Sequence, residues 1–363
     1  MGSEERIKEL EKLISESKYN KATQHAIGRY KAQLAKLRSE REQKQKGTGS
    51  TSGYHVAKTG DATIVLLGFP SVGKSTLLNT LTGADSEIGA YEFTTLDVIP
   101  GVMKYRGAQI QILDIPGIVS GAAYGKGRGQ EVLSVLRSAD LVLILLDPRK
   151  EGQQEKIRDE VYRAGIRLGK SKPDVKITRK AKDGIRVSST VNLPNLTQKE
   201  VEAVLKEFGM PNADVVIRTQ IDVDQFVDCV EGNRKYVPDL TVINKKDLLS
   251  PDELEAVMSR EDADLAISAD KNEGLERLKE EAFSRLNLIR IYLKEPRKDP
   301  DMEEPLIIKK GSTIEDVCKK VHKDVVKQFK YANIWGDSAK FPNQRMGLQH
   351  TVMDEDVVEL HTK

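Results

Sequence analysis

Two glycines, a lysine and a serine stand at a spacing that suits the binding of phosphate groups. Gly68 and Gly73 are separated by four residues, and Lys74 and Ser75 follow directly. Glycines let the backbone curl so that its N–H groups point at phosphate oxygens, and the helix that follows adds partial positive charge. A lysine here reaches the β- and γ-phosphates of a nucleoside triphosphate, and a serine hydroxyl ligates Mg²⁺. The residues of this loop that we expect to contact a nucleotide are Gly68, Pro70, Ser71, Val72, Gly73, Lys74, Ser75 and Thr76.

A second pattern, Asn244-Lys245-x-Asp247, indicates which base is bound. A carboxylate at Asp247 accepts hydrogen bonds from N1–H and the exocyclic amine of guanine, whereas adenine offers a lone pair at N1 and would leave it unpaired. We expect Asn244 to tie this loop to the phosphate loop and the stem of Lys245 to pack on the base. Ser268 and Ala269 follow another apolar segment and fit a last base-contacting loop, where a backbone N–H meets guanine O6.

An aspartate and a glycine three residues apart, Asp114 and Gly117, indicate a sensor of the γ-phosphate. Such an aspartate suits a water-mediated contact with Mg²⁺, and such a glycine offers its N–H to the γ-phosphate. A hydroxyl of Thr94 or Thr95 would complete the coordination, and we favour Thr95. The predicted Mg²⁺ ligands are Ser75, Thr95 and Asp114, and the predicted catalytic residues are Lys74, Thr95 and Gly117.

Short apolar runs precede most of these loops and predict the elements that position them. Strands are expected at residues 63–67, 108–113, 141–146, 240–244 and 263–268. A helical pattern at 76–81 follows the phosphate loop, and further helical patterns lie between most of the strands. Apolar, β-branched strands that alternate with helices predict a parallel sheet covered on both faces.

The alternation breaks between residues 165 and 238. Strands at 175–178 and 185–188 flank a Lys-Asp-Gly turn and predict a β-hairpin. Thr197 and Glu200 form a capping box for a helix that runs to Phe208. The segment therefore predicts a small inserted α+β domain. Residues 168–190 hold seven basic and two acidic side chains, which suits contact with a phosphate backbone, and a plain solvated face stays an equal alternative.

The two ends of the chain form further modules. Apolar residues recur at helical spacing over 4–45, and strands at 289–292, 306–308, 332–335, 349–352 and 357–360 with a helix at 313–321 predict a β-rich terminal unit. The expected domains are a helical hairpin at 1–47, a linker at 48–60, an α/β domain at 61–164 and 239–288, the insert at 165–238, and the terminal unit at 289–363.

Composition is that of an ordinary globular protein. Of 363 residues, 38% are apolar and 31% charged, with a net charge of +2. No apolar run approaches the ~18 residues that span a bilayer. The charged N-terminus lacks a signal-peptide core, and the two cysteines lie among apolar residues. We expect a cytoplasmic monomer without membrane contact.

The chain resembles the Obg type of translation-factor-like GTPases, and within them the DRG (developmentally regulated GTP-binding) family. The segments that carry the resemblance are GFPSVGKSTLLNTLTG at 68–83, YEFTTLDVIPG at 91–101, DIPGIVSGAAYGKGRG at 114–129 and INKKD at 243–247. The resemblance implies a P-loop GTPase domain of α/β fold with an N-terminal helical hairpin, an inserted α+β domain and a C-terminal β-grasp-like TGS domain. It also implies hydrolysis of GTP to GDP with Mg²⁺, a switch function on the ribosome or RNA in translation, and a stabilising partner protein.

Two positions depart from related enzymes. Ile118 stands where Ras-type GTPases carry the glutamine that orients the attacking water, so hydrolysis should be slow unless other groups position that water. Related enzymes that use K⁺ as catalytic cation carry asparagine where Ser71 lies. The serine is a poorer ligand by reach but has a hydroxyl that can still participate, so K⁺ stimulation is a hypothesis. The alternative function is a nucleotide-gated scaffold that binds RNA or the ribosome and hydrolyses negligible GTP.

Overall fold

The structure is a computed structural model that describes residues 3–17, 23–46, 60–83, 99–115 and 135–362. In chain order its elements are α1 (Ser3–Glu16), α2 (Gln24–Lys46), β1 (Ala62–Leu67), α3 (Lys74–Thr82), β2 (Ile99–Tyr105), β3 (Ala108–Asp114), β4 (Leu141–Leu146), α4 (Gln153–Arg163), β5 (Ile166–Leu168), β6 (Val175–Arg179), β7 (Ile185–Ser189), α5 (Gln198–Glu207), β8 (Ala213–Ile217), α6 (Val223–Glu231), β9 (Lys235–Val237), β10 (Asp239–Ile243), α7 (Pro251–Arg260), β11 (Leu265–Ala266), α8 (Leu275–Arg285), β12 (Leu288–Leu293), β13 (Leu306–Lys309), α9 (Ile314–Val321), α10 (Lys323–Gln328), β14 (Phe329–Trp335), β15 (Gln344–Met346) and β16 (Asp356–Thr362). Among these described helices, none combines the length and apolar character needed to cross a membrane.

The chain divides into two compact units. The first comprises residues 1–53 and 170–236, and the second comprises 54–169 and 237–363. The first unit thus joins the N-terminal helices to most of the segment that the sequence predicts as an insert. Apart from residue 60, the linker predicted at 48–60 lies outside the described residues.

Helix α2 shares a core with the inserted segment because small residues line its contact face. Ala32 and Ala35 are buried in the same apolar cluster as Val201 of α5. A Cβ added at Gly28 would lie 3.5 Å from atoms of Glu200, so the two helices approach closely at this point. The predicted capping box is confirmed at the start of α5, where the buried Glu200 reaches back to the N-cap residue.

The β-hairpin predicted from residues 175–178 and 185–188 is wrong. Strand β8 lies between β6 and β7, antiparallel to β6 and parallel to β7. Val215 of β8 is 1% exposed, so the more apolar strand takes the central place. The turn is bonded to the start of β8: Gly184 donates its N–H to the Asn212 side chain at 2.8 Å, and its carbonyl accepts from Ala213 at 3.0 Å.

The large sheet of the second unit has the strand order β11-β10-β4-β1-β3-β2. Strands β1 and β4 are buried along their whole length, as expected for central parallel strands covered on both faces. Strand β2, which the sequence pattern does not single out, is the antiparallel edge strand beside β3. The strand expected at 263–268 is shorter, at Leu265–Ala266.

Apolar clusters cover both faces of this sheet. Leu66 and Ile110 point into one cluster together with Leu77 of α3. Val65 and Ile144 point into the other cluster. The predicted two-sided coverage is therefore confirmed.

The C-terminal module forms a sheet of order β13-β12-β16-β14-β15. The strand predicted at 349–352 is wrong, since only Thr351 makes a single bridge, to Thr313. The carbonyls of Leu348 and His350 instead accept from Glu315 and Ile314 at 3.0 Å each, so this segment caps the start of α9.

Candidate functional site

The loop between β1 and α3 needs glycine at both predicted positions. A Cβ at Gly68 would lie 2.6 Å from the carbonyl oxygen of Leu145 and 2.8 Å from Val72. Gly73 has a φ of 98°, and a Cβ there would lie 2.4 Å from the side-chain nitrogen of Asn244. These close approaches bring the backbone of the loop against the end of β4 and against Asn244, which only glycine permits.

Helix α3 begins at Lys74 with Gly73 as its N-cap and without a side-chain cap. The N–H groups of a first helical turn have no acceptor within their helix, so those of Lys74, Ser75 and Thr76 are available to an anion. Val72 is buried, whereas Pro70 and Ser71 are exposed. The loop therefore presents backbone donors at a helix N-terminus, which is an arrangement that binds phosphate.

Lys74, Ser75 and Asp114 lie together at the ends of β1 and β3. The ammonium of Lys74 donates to the carbonyls of Gly68 and Phe69 at 3.0 and 3.3 Å. The Ser75 hydroxyl donates to Oδ2 of Asp114 at 3.0 Å. Burial lowers the pKa of Lys74, opposed by the charge of Asp114. Burial also raises the pKa of Asp114, opposed by Lys74 and by the bond from Ser75.

Asn244 links three loops. The sequence predicts the link between two of them, its own loop and the phosphate loop. Its amide nitrogen donates to the carbonyl of Val72 at 2.9 Å, and its amide oxygen accepts from the N–H of Ala269 at 3.0 Å. The residue is 3% exposed. The phosphate loop and the loop after β11 are thus held in register by one buried amide.

Asp247 lies on a short 3-10 helix, Lys246–Leu248, directly after this asparagine and Lys245. A hydrogen bond from the Ser268 side chain is the main cause that lowers the pKa of Asp247. Lys271 lies 3.5 Å from one carboxylate oxygen, and the Asp247 side chain is 15% exposed. An ionised, oriented carboxylate at a half-open position can accept two hydrogen bonds from a planar base.

Lys245 contacts a residue that the sequence reasoning missed. Its ammonium donates to the carbonyl of Ser71 at 2.8 Å and to Oδ2 of Asp147, also at 2.8 Å. Asp147 directly follows the apolar run of β4. A carboxylate at the end of a fully apolar strand is the sequence feature that indicates this residue.

The sheet order explains why these groups meet. Strands β10, β4, β1 and β3 are adjacent and parallel, so their carboxyl ends open at one edge. Loops after such strands form the ligand site of open α/β sheets. Thr95, Gly117 and Ile118 lie outside the described residues, and the roles predicted for them stay predictions.

Comparison with known proteins agrees with this architecture. Residues 63–180 match the family described as 50S ribosome-binding GTPase, residues 182–288 match the C-terminal region of that domain, and residues 289–362 match the TGS domain. The fold and its strand-end loops define a P-loop GTPase, and the chain is a GTP-binding protein with a C-terminal TGS domain.

Full-length relatives identify the family. A GTP-binding protein of Methanocaldococcus jannaschii is 50% identical over 100% of this chain and 94% of its own length. Developmentally-regulated GTP-binding protein 2 of Homo sapiens is 43% identical over 100% of both chains. The chain belongs to the developmentally-regulated GTP-binding protein family. The solved YchF GTPase of Schizosaccharomyces pombe aligns with 84% of this chain and 99% of its own at 13% identity and a TM-score of 0.46, which is too low to add to this assignment.

Proposed function

We propose that the chain hydrolyses GTP to GDP and phosphate and acts as a nucleotide-controlled switch on the ribosome or RNA. The observation that carries the proposal is the meeting of three kinds of group at one sheet edge. Lys74 and the start of α3 suit phosphates, Ser75 with Asp114 suits a divalent cation, and Asp247 suits guanine. None of the other common bases satisfies a carboxylate with two donors in this way.

Mg²⁺ fits the pair formed by Ser75 and Asp114. Within the described part of the chain, the buried Oδ1 of Asp114 has no hydrogen-bond partner. Hydroxyl and carboxylate oxygens are the donors that Mg²⁺ takes beside phosphate oxygens and water. Mg²⁺ bound there, with Thr95 as proposed third ligand, would neutralise charge that develops on the β- and γ-phosphates.

The chain's own residues would then divide the remaining work. The Lys74 ammonium would exchange its two carbonyl acceptors for phosphate oxygens. Its positive charge would then pair with the negative phosphates at a partly buried position. The N–H of Gly117 would bind the γ-phosphate. The glycine-rich segment that follows it in sequence would therefore respond to the presence of the γ-phosphate. Ile118 cannot hydrogen-bond water, so we propose that intrinsic hydrolysis is slow.

A scaffold with negligible hydrolysis is the second candidate, and Ile118 is the observation that favours it. Single-turnover phosphate release from GTP with Mg²⁺ separates the two functions. A switch enzyme should release phosphate above the rate of protein-free GTP. Tight binding of GTP with phosphate release at the background rate would instead support the scaffold.

Phosphate release should be faster in KCl than in NaCl at equal ionic strength. Ser71 is exposed, and its hydroxyl oxygen can ligate a cation, although it reaches less far than the asparagine of related K⁺-dependent enzymes. The measurement is the single-turnover rate in the two salts, with tetramethylammonium chloride as control. Equal rates in K⁺ and Na⁺ would remove the proposed K⁺ role.

The distribution of charge supports a partner that carries phosphates. Residues 1–53 and 170–236 together hold 24 Lys and Arg against 17 Asp and Glu, whereas the rest of the chain holds 34 against 39. Lys176 and Arg186 are exposed on the face of the β6-β8-β7 sheet that lies opposite Ile177 and Val187. Residues 163–207 contain no aromatic residue, and basic side chains in a segment without aromatic residues suit contact with RNA backbone. The match to a 50S ribosome-binding GTPase domain points the same way.

Co-sedimentation with ribosomes should be stronger with a GTP analogue than with GDP, and weaker at higher salt. Replacing Lys176 and Arg186 with glutamate should reduce it, because two cations are exchanged for two anions on one sheet face. The matched control exchanges the exposed Lys104 and Lys156 of the second unit for glutamate. Equal sedimentation of both variants and of wild type would contradict the proposed surface. A stabilising partner protein, a cytoplasmic location and a monomeric state stay predictions.

A further inference from the structure

We infer that Asp147 is a positioning residue for guanine recognition, and that it acts through Lys245. The inference rests on the nucleotide site proposed above and extends it to the loop after β4. This loop carries none of the sequence patterns that point to nucleotide contact. Its strand nevertheless lies between β1, which leads to the phosphate loop, and β10, which leads to Asn244 and Lys245.

The carboxylate of Asp147 is held from both sides. Its Oδ2 lies 2.8 Å from the Lys245 ammonium, and its Oδ1 accepts the backbone N–H of Arg149 at 3.0 Å. The residue is 8% exposed. Gln153, itself buried, donates to the carbonyls of Asp147 and Lys150 at 3.0 and 2.8 Å. The loop is thereby fixed to the start of α4, and the carboxylate has one orientation.

Lys245 is held at its two ends. Its backbone has a φ of 61°, which is the left-handed region, and it directly precedes the short helix that carries Asp247. Its ammonium is anchored by the Ser71 carbonyl and by Asp147, both at 2.8 Å. With both ends fixed, the four-carbon stem runs from the base-reading loop to the phosphate loop along one path.

Charge is what Asp147 adds to this anchor. If the Ser71 carbonyl were its single acceptor, the Lys245 ammonium would stay partly hydrated and the side chain would sample several rotamers. Ordering such a lysine when a base binds costs side-chain entropy. Burial tends to raise the pKa of Asp147, but the bonds from Lys245 and from the Arg149 N–H outweigh it and lower the pKa overall. Asp147 is therefore an anion at neutral pH, and the lysine stem is already ordered before a base stacks on it.

The test compares Asp147→Asn with Asp140→Asn. Asp140 precedes the amino end of the same strand, away from the site, where it accepts the N–H of Thr63 at 3.0 Å. Displacement of a fluorescent GDP by GDP and by inorganic pyrophosphate separates contacts to the base from contacts to the phosphates. Asp147→Asn should weaken GDP about tenfold, as is usual for loss of one partner of a coupled pair, and leave pyrophosphate unchanged. Asp140→Asn should change neither.

A double substitution supplies the second readout. Lys245→Met should weaken GDP to a similar degree, and Asp147→Asn combined with Lys245→Met should weaken it no further, because both act on one interaction. Additive losses would overturn the inference, as would unchanged GDP affinity in Asp147→Asn or equal losses for GDP and pyrophosphate. The comparison of the two ligands holds even if the variant is less stable, since both report the same folded fraction. Failure of the wild-type chain to bind GDP would overturn the proposed site itself, which is a distinguishable result.

Discussion

Replacing Lys74 with alanine should weaken GTP binding by about 100-fold or more and abolish measurable phosphate release. In the structure the Lys74 ammonium is partly buried and is satisfied only by the loop carbonyls of Gly68 and Phe69 among the described residues. Burial lowers the pKa of Lys74 because it disfavours the charged ammonium, and bound phosphate oxygens would stabilise that charge. Without the ammonium, the triphosphate would lose the lysine charge and keep the proposed Mg²⁺ and the backbone N–H donors. Fluorescent-nucleotide titration and single-turnover hydrolysis measure the two effects.

The matched control is Lys104→Ala, on the exposed side of the edge strand β2 in the same sheet. It removes the same charge from the same unit and should leave GTP affinity within about twofold, as surface changes away from a site do. Comparable affinity of Lys74→Ala and Lys104→Ala would mean that the loop does not bind the triphosphate. A Lys74→Arg variant that kept both activities would mean that charge suffices and that the geometry of the ammonium does not matter.

The geometry of the loops proposed to bind the nucleotide was predictable from the sequence because the requirements of these loops are local or nearly so. Gly73 is needed at a φ of 98°, which only glycine adopts easily, and a side chain there would collide with Asn244. Such a position restricts the residue type wherever the loop occurs. The same holds for Asn244, whose amide must donate on one side and accept on the other. Positions that accept only one residue type produce a sequence pattern that can be recognised before the fold is known.

Asp147 was not predictable in this way because its partner is known only once the strand order is known. In sequence it lies about a hundred residues from Lys245, and an aspartate before a proline is ordinary turn chemistry. The sheet places β4 between β1 and β10, and that placement brings the two charges to 2.8 Å. Long-range pairing therefore decides its role.

The same reason explains the errors in the fold. Residues 175–178 and 185–188 have hairpin spacing, but the strand that fills the space between them, β8, comes later in the chain and is more apolar. Residues 349–352 have strand-like composition, but the N-terminus of α9 takes the carbonyls of this region. In both cases the backbone pairs with a segment that is distant in sequence. The buried strands β1 and β4 leave no such choice, since their apolar runs can only be central.

Replacing Asp247 with asparagine should weaken GTP binding by about 100-fold and shift the preference towards xanthosine triphosphate. The carboxylate would accept from both N1–H and the exocyclic amine of guanine, and its bond with the Ser268 side chain orients it for this. Xanthine carries a carbonyl in place of that amine, so a side-chain amide can donate to it while still accepting from N1–H. Competition of GTP, xanthosine triphosphate and ATP against a fluorescent guanine nucleotide measures the shift.

The control for this exchange is Asp252→Asn, an exposed aspartate in the first turn of α7, a short way further along the chain. It makes the same chemical change near the same loop and should leave the order of nucleotide affinities as in wild type. Unchanged GTP affinity in Asp247→Asn would remove Asp247 from base recognition. Equal weakening of GTP and xanthosine triphosphate would instead mean that Asp247 supports the loop without reading the base, because a reader of N1–H and the 2-substituent must tell these two bases apart.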